Sequence, residues 1–102
     1  MFRQGDVLLI PTGKPTRTGK AQPRDDRGRI VLAEGEATGH AHAIASDTAR
    51  LYGAGLDVRF LQVIGEATLT HEEHDTIVLP DGWYEVRRQR EYTPEAERFV
   101  AD

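Results

Sequence analysis

The chain has 102 residues, a formal net charge of −4 and a modest hydrophobic content of 38%. This length predicts a single domain with a small core. The absence of cysteine excludes a disulfide framework and a thiolate metal site, and it fits a reducing compartment. The apolar run at residues 7–10 is too short for a signal peptide or a membrane span, so we expect a soluble, cytoplasmic protein.

Short apolar or alternating segments separated by glycine and proline predict β-strands along the whole chain. The predicted strands are residues 7–10, 29–34, 40–45, 50–52, 57–64, 66–72, 76–79 and 83–92. No alternation of strands with helices is present, which favours one all-β domain over residues 1–102, a small β-barrel or β-sandwich.

The residues between these segments predict how each strand ends. We expect Pro11 to stop the first strand, Gly65 to turn the chain, and residues 80–82, Pro-Asp-Gly, to form a tight turn. Residues 72–75 read as a hairpin connection, and the charged last strand as an exposed edge. Thr93 and Pro94 are typical of a helix start, which predicts a short C-terminal helix over about residues 94–101.

The basic residues are concentrated in a loop at about residues 12–28, which is rich in proline, glycine and threonine and is expected to be mobile. Residues 14–29 contain six basic and two acidic side chains, whereas the rest of the chain has seven bases and fifteen acids. This asymmetry fits either a solvated loop or a site for an anionic partner such as nucleic acid. The candidate anion-binding residues are Lys20, Arg24, Arg88 and Arg90.

All four histidines occur in two close pairs, His40 with His42 and His71 with His74. On a strand, residues two apart project from the same face with Cα atoms about 6.6 Å apart, so His40 and His42 can bind one ion. A turn can direct His71 and His74 to the same point. The pattern predicts a transition-metal site, with Zn²⁺ as the first expectation and Fe, Mn, Ni or Cu as alternatives.

Two carboxylates, Glu72 and Glu73, lie inside the second histidine pair. Either one could coordinate the ion, orient an imidazole or act as a catalytic base in a metal-dependent enzyme of hydrolytic type. Two alternatives stay open. The histidines could act without metal as acid and base on a phosphodiester, or the metal could stabilise a non-catalytic binding or regulatory protein. We also expect a homodimer, because small sheets leave edges that a second copy can cover.

Four segments of the chain, residues 3–8, 35–42, 69–74 and 79–94, resemble a group of small, mostly uncharacterised proteins of bacteria and their phages. That resemblance implies no activity. A partial similarity to cupins comes from Gly35, His40 and His42 together with the turn at residues 80–82, although here the second histidine pair precedes that turn. The similarity to cupins implies a barrel shape and a histidine-bound metal.

Overall fold

The computed structural model describes residues 1–34, 39–53 and 58–89, and these residues form an all-β domain without a helix. Seven strands account for its regular structure. They are β1 (Phe2–Gln4), β2 (Val7–Thr12), β3 (Ile30–Glu34), β4 (Ala41–Ile44), β5 (Ala49–Tyr52), β6 (Arg59–Thr70) and β7 (Ile77–Arg88).

The strands form one antiparallel sheet in the order β1-β2-β7-β6-β4-β3, and β5 pairs with β6 beside β4. This order does not return to its starting strand, so the sheet is not closed. The all-β prediction is therefore confirmed, whereas a barrel or a sandwich is not. The predicted helix at residues 94–101 lies outside the described residues.

The predicted turns at Gly65 and at residues 80–82 are wrong, because both lie inside long strands. β6 and β7, with twelve residues each, form a long hairpin whose register shifts between Val63 and Glu66. Two residues of β6, Ile64 and Gly65, face the single residue Asp81 of β7, which is the arrangement of a β-bulge. The Gly65 N–H donates to the Asp81 carboxylate at 2.7 Å. This hydrogen bond joins the two segments that the sequence predicted as turns.

Two further expectations at the strand level are also wrong. Pro11 does not end β2, since β2 continues to Thr12 and Pro11 pairs with Tyr84. β1 covers β2 only as far as Leu9, so proline, which lacks an N–H, lies where β2 has no partner in β1. β7 is not an edge strand either, because it pairs with β2 on one side and β6 on the other.

In β6 and β7 the core side chains follow the alternation of the strands, whereas the residues of β4 are buried throughout. Leu61 and Val63 of β6 and Tyr84 and Val86 of β7 are buried, whereas their neighbours Gln62 and Glu85 are only half-buried. The ring of Phe2 packs edge-on against Tyr84 with centroids 5.9 Å apart. Burial of this apolar face is the main force holding the sheet together.

Backbone hydrogen bonds attach the second half of the basic loop to β5. The Gln22 N–H donates to the Leu51 carbonyl at 2.6 Å, and the Gly53 N–H donates to the Lys20 carbonyl at 3.1 Å. The described part of the chain contains no helix long and apolar enough to cross a membrane.

Candidate metal site

The register between β4 and β6 brings the two histidine pairs together. Ala43 faces Thr70 and Ile44 faces Leu69. One step further along this register, His42 faces His71, and their ring centroids are 4.3 Å apart. The antiparallel pairing thus joins residues that the sequence separates by about thirty positions.

The next two steps of the same register place the carboxylates of the second pair against the first pair. The Ala41 N–H donates to Glu72 Oε1 at 2.9 Å. His40 Nδ1 lies 3.6 Å from Glu73 Oε1. Each residue of the segment 71–73 therefore has a counterpart in the segment 40–42.

His71 lies at the centre of a cluster formed by all four histidine rings. Its ring centroid is 5.6 Å from that of His40, 4.3 Å from that of His42 and 4.6 Å from that of His74. The rings of His42 and His74 stack at 5.8 Å. Ligand atoms of His40, His71 and Glu72 lie within 4.8 Å of one another.

Gln4 of β1 determines which nitrogen of His42 carries a proton. The Gln4 Nε2 group donates to the carbonyls of Leu69 and Asp75, both at 3.0 Å, and carbonyls can only accept. The Gln4 oxygen must therefore accept, and it lies 2.9 Å from His42 Nδ1. His42 thus holds its proton on Nδ1, and its Nε2 carries the lone pair that a metal ion needs.

His42 is only 2% exposed and is a neutral imidazole at neutral pH. Burial, followed by the neighbouring His71 and His74, lowers the pKa of His42 from 6.5 to about 4, although Asp6 acts in the opposite direction. A neutral ring with one fixed N–H is the form in which histidine binds metals.

His71 has the opposite tautomer. The Glu73 N–H donates to His71 Nδ1 at 3.0 Å, which leaves the proton of a neutral ring on Nε2. Coordination by His71 therefore requires that Nδ1 exchange this hydrogen bond for the ion, or that the ring change its tautomer.

The turn between β1 and β2 packs directly against the cluster. Gly5 has a φ of +57°, and a Cβ atom at this position would lie 2.7 Å from His74 Nε2 and 3.2 Å from His42 Cε1. Only glycine tolerates both the left-handed backbone and this close approach. The turn thereby places the next residue, Asp6, beside the rings.

Asp6 connects the cluster to β7. Its Oδ2 accepts hydrogen bonds from Arg88 at 3.1 Å and 2.6 Å, while its Oδ1 lies 3.8 Å from His42 Nε2. Burial alone would raise the pKa of Asp6, but the hydrogen bond and charge of Arg88 outweigh it, and the pKa lies below its ordinary value. The carboxylate is therefore ionised at neutral pH.

The two glutamates differ in their contacts. Glu72 accepts the Ala41 N–H, and this hydrogen bond is the main reason that the pKa of Glu72 is lowered. The side chain of Glu73 is 69% exposed beside His40. Both glutamates are exposed, but a backbone N–H fixes the carboxylate of Glu72, whereas the carboxylate of Glu73 lies beside the His40 ring.

The structure describes three of the four predicted anion-binding residues, and these three have different contacts. Arg88 binds Asp6 at the histidine cluster. The guanidinium of Arg24 donates to three backbone carbonyls, at 2.8–2.9 Å, and so connects the loop to the start of β5. Lys20 lies in the loop beside Gly53, and Arg90 is outside the described residues.

Sequence reasoning missed the contribution of residues 4–6 to this site. Gln4, Gly5 and Asp6 follow Arg3 in a run of four residues without an apolar side chain between Phe2 and Val7. A Gly-Asp turn between two apolar segments is a hairpin signal, but nothing local indicates that the turn meets histidines more than thirty residues away.

The profile of a family described as a domain of unknown function, DUF8820, matches residues 3–89. The chain belongs to this family. The matched range includes the β1–β2 turn, both histidine pairs and Arg88. Comparison of the DUF8820 chain with curated proteins and with solved structures finds no significant match.

Proposed function

We propose that this DUF8820 domain binds one transition-metal ion, zinc in the first instance, among His40, His42, His71 and His74. The observation that carries the proposal is the tautomer of His42. Its Nδ1 proton is held by Gln4, so Nε2 carries the lone pair, and this nitrogen lies 3.8 Å from the carboxylate oxygen Oδ1 of Asp6. A carbonyl or amide oxygen that orients a histidine through its second nitrogen is the usual support of a metal ligand.

The donor set indicates the class of ion. Imidazoles and carboxylates suit Zn²⁺, Fe²⁺, Mn²⁺, Ni²⁺ and Cu²⁺, whereas Ca²⁺ and Mg²⁺ prefer sites made of oxygen alone. The described residues that contact the cluster supply four imidazoles and the carboxylates of Asp6, Glu72 and Glu73. Zinc accepts these ligands without a redox change.

Melting of protein prepared without a histidine tag, with and without EDTA, tests this proposal. An ion that binds only the folded chain, present at a thousandfold excess over its Kd, stabilises it by about 4 kcal/mol. In a domain of this size each kcal/mol corresponds to roughly 4–8 °C. We expect EDTA to lower the Tm of the zinc-loaded protein by more than about 10 °C, and an unchanged Tm would contradict the proposal.

A metal-dependent hydrolytic activity is the second candidate. The observation that favours it is Glu73, an exposed carboxylate 3.6 Å from the His40 ring. If Glu73 acts as a base on a metal-bound water, Glu73→Gln removes hydrolysis of activated ester substrates but leaves zinc affinity unchanged. Equal hydrolysis by the wild type and the variant would contradict this role and leave a non-catalytic, metal-stabilised binding protein.

Homodimerisation also belongs to the proposal. Within the described residues the open sheet ends at β1 on one side and β3 on the other, and both edges can pair with a second copy. Light scattering of concentrated protein should give twice the mass of the 11.4 kDa chain, and a persistent monomer would contradict it.

A further inference from the structure

Two electron-pair donors, Nε2 of His42 and Oδ1 of Asp6, face each other beside the histidine cluster. Gln4 holds the proton of His42 on Nδ1, so Nε2 of the neutral ring has only a lone pair. Asp6 Oδ1 lies 3.8 Å from that nitrogen. A carboxylate oxygen and a lone-pair nitrogen cannot hydrogen-bond to each other, and the pair is stabilised only by something electropositive between them.

The carboxylate of Asp6 is held in this orientation from three sides. Arg88 donates two hydrogen bonds to Oδ2, which directs Oδ1 toward His42. The Gln89 N–H donates to the Asp6 carbonyl at 2.5 Å and fixes the backbone of the turn. Gly5, on the other side, packs so close to the cluster that a Cβ atom at this position would lie 2.7 Å from His74 Nε2.

The separation of the two donors fits a shared ion. Zinc binds imidazole nitrogen and carboxylate oxygen at distances that together amount to about 4.2 Å. Donors 3.8 Å apart can therefore both bond to one ion at a bent angle without movement of the turn.

We infer that Asp6 is a further ligand of the proposed metal ion, supplied by the β1–β2 turn and positioned by Arg88. This inference rests on the proposed function, and it adds a negative charge to a site otherwise described by its imidazoles. An anionic ligand tightens the binding of divalent cations, and it makes the N-terminal hairpin part of the metal site.

Zinc affinity measured by competition with a chromophoric chelator tests this inference, together with the absorption spectrum of the Co²⁺-substituted protein. We expect Asp6→Asn to weaken zinc binding at least tenfold and to change the cobalt spectrum. The matched control is Asp47→Asn, the same chemical change at an aspartate in the segment between β4 and β5, and it should stay within about twofold of the wild type.

The outcomes distinguish a failure of the ligand role of Asp6 from a failure of the proposed metal site. If the wild type does not bind zinc or cobalt, the proposed function fails. If the wild type binds both ions while Asp6→Asn keeps its zinc affinity and cobalt spectrum, only the ligand role of Asp6 is overturned. Should Asp6→Asn not fold, Asp6→Glu retains the charge and moves the carboxylate by one methylene. A ligand role then changes the cobalt spectrum, whereas a role in the Arg88 ion pair alone leaves it unchanged.

Discussion

The histidine cluster and the basic loop are the two places where polar side chains concentrate, but they use their donor atoms differently. In the loop, Arg24 donates to three backbone carbonyls, and Asp25 pairs with Arg29 at 3.0 Å. These groups are engaged in holding the chain. In the cluster, Gln4 satisfies one nitrogen of His42 and leaves the other directed at Asp6.

This difference shows how a structural polar group can be distinguished from a binding group. Charge density alone predicts a partner for the loop, yet Arg24 already donates to three backbone carbonyls of the chain. In the cluster, Nε2 of His42 instead keeps a lone pair that faces a carboxylate oxygen, and only an electropositive partner stabilises such a pair. Changes at His42 test the role of the cluster, and a substitution of Arg24 and a DNA-binding measurement test the role of the loop.

The largest effect is expected for His42→Ala, which removes the imidazole and with it the Nε2 lone pair. Zinc affinity should fall by at least about 100-fold, since the loss of a direct ligand exceeds the 10- to 100-fold cost of losing a supporting contact. Arg24→Met is the control, because it disrupts the loop without touching the cluster. Equal zinc affinity of His42→Ala and the wild type, measured by chelator competition, would contradict the assignment of His42.

The stability of the metal-free protein should depend on the protonation of His42. The pKa of His42 is about 4 in the folded chain, whereas the unfolded chain has the ordinary histidine value of 6.5 and therefore binds the extra proton first. The contribution is fully present above about pH 6.5 and is lost as the pH falls toward 4, by up to about 3 kcal/mol in total. Urea unfolding in EDTA at several pH values measures this loss. In His42→Ala the free energy of unfolding should lack this part of the pH dependence. The same pH dependence in the variant and the wild type would argue against the role of His42.

Arg24→Met should destabilise the domain by about 1–3 kcal/mol, because three carbonyls lose their donors. Arg27→Met is the matched control in the same loop, since Arg27 is exposed and the change should stay within about 0.5 kcal/mol. Urea unfolding compares the two variants. Equal stabilities would mean that the hydrogen bonds of Arg24 do not hold the loop to β5.

Nucleic-acid binding by the loop should be weak. With Arg24 engaged internally and a net charge of −4, we expect no retention of single- or double-stranded DNA in filter binding at physiological salt. Retention that falls steeply as salt rises would instead restore the anionic partner, because released counterions produce that dependence.

Strand alternation was sufficient to predict most of the sheet. The apolar face of Leu61 and Val63 follows directly from a period of two. The same local signals misplaced Gly65 and residues 80–82, because glycine and proline mark both turns and bulges. Only the pairing of β6 with β7 decides between them, and that pairing is not a local property.

The candidate site was likewise only partly predictable from the sequence. Composition alone identified the four histidines, but their register across β4 and β6 depends on non-local pairing. Gln4 donates to Leu69, 65 residues away, and Asp6 binds Arg88, 82 residues away. Contacts at such separations have no signature in a single sequence, so the orientation of His42 could not be predicted.

Equilibrium dialysis of untagged protein against zinc, followed by elemental analysis, tests the central claim most directly. The histidine cluster should retain about one zinc ion per wild-type chain, whereas His42→Ala dialysed alongside should retain only the background. Arg24→Met should still retain one ion if it remains folded. A wild-type protein that retains no more zinc than His42→Ala would contradict the metal site.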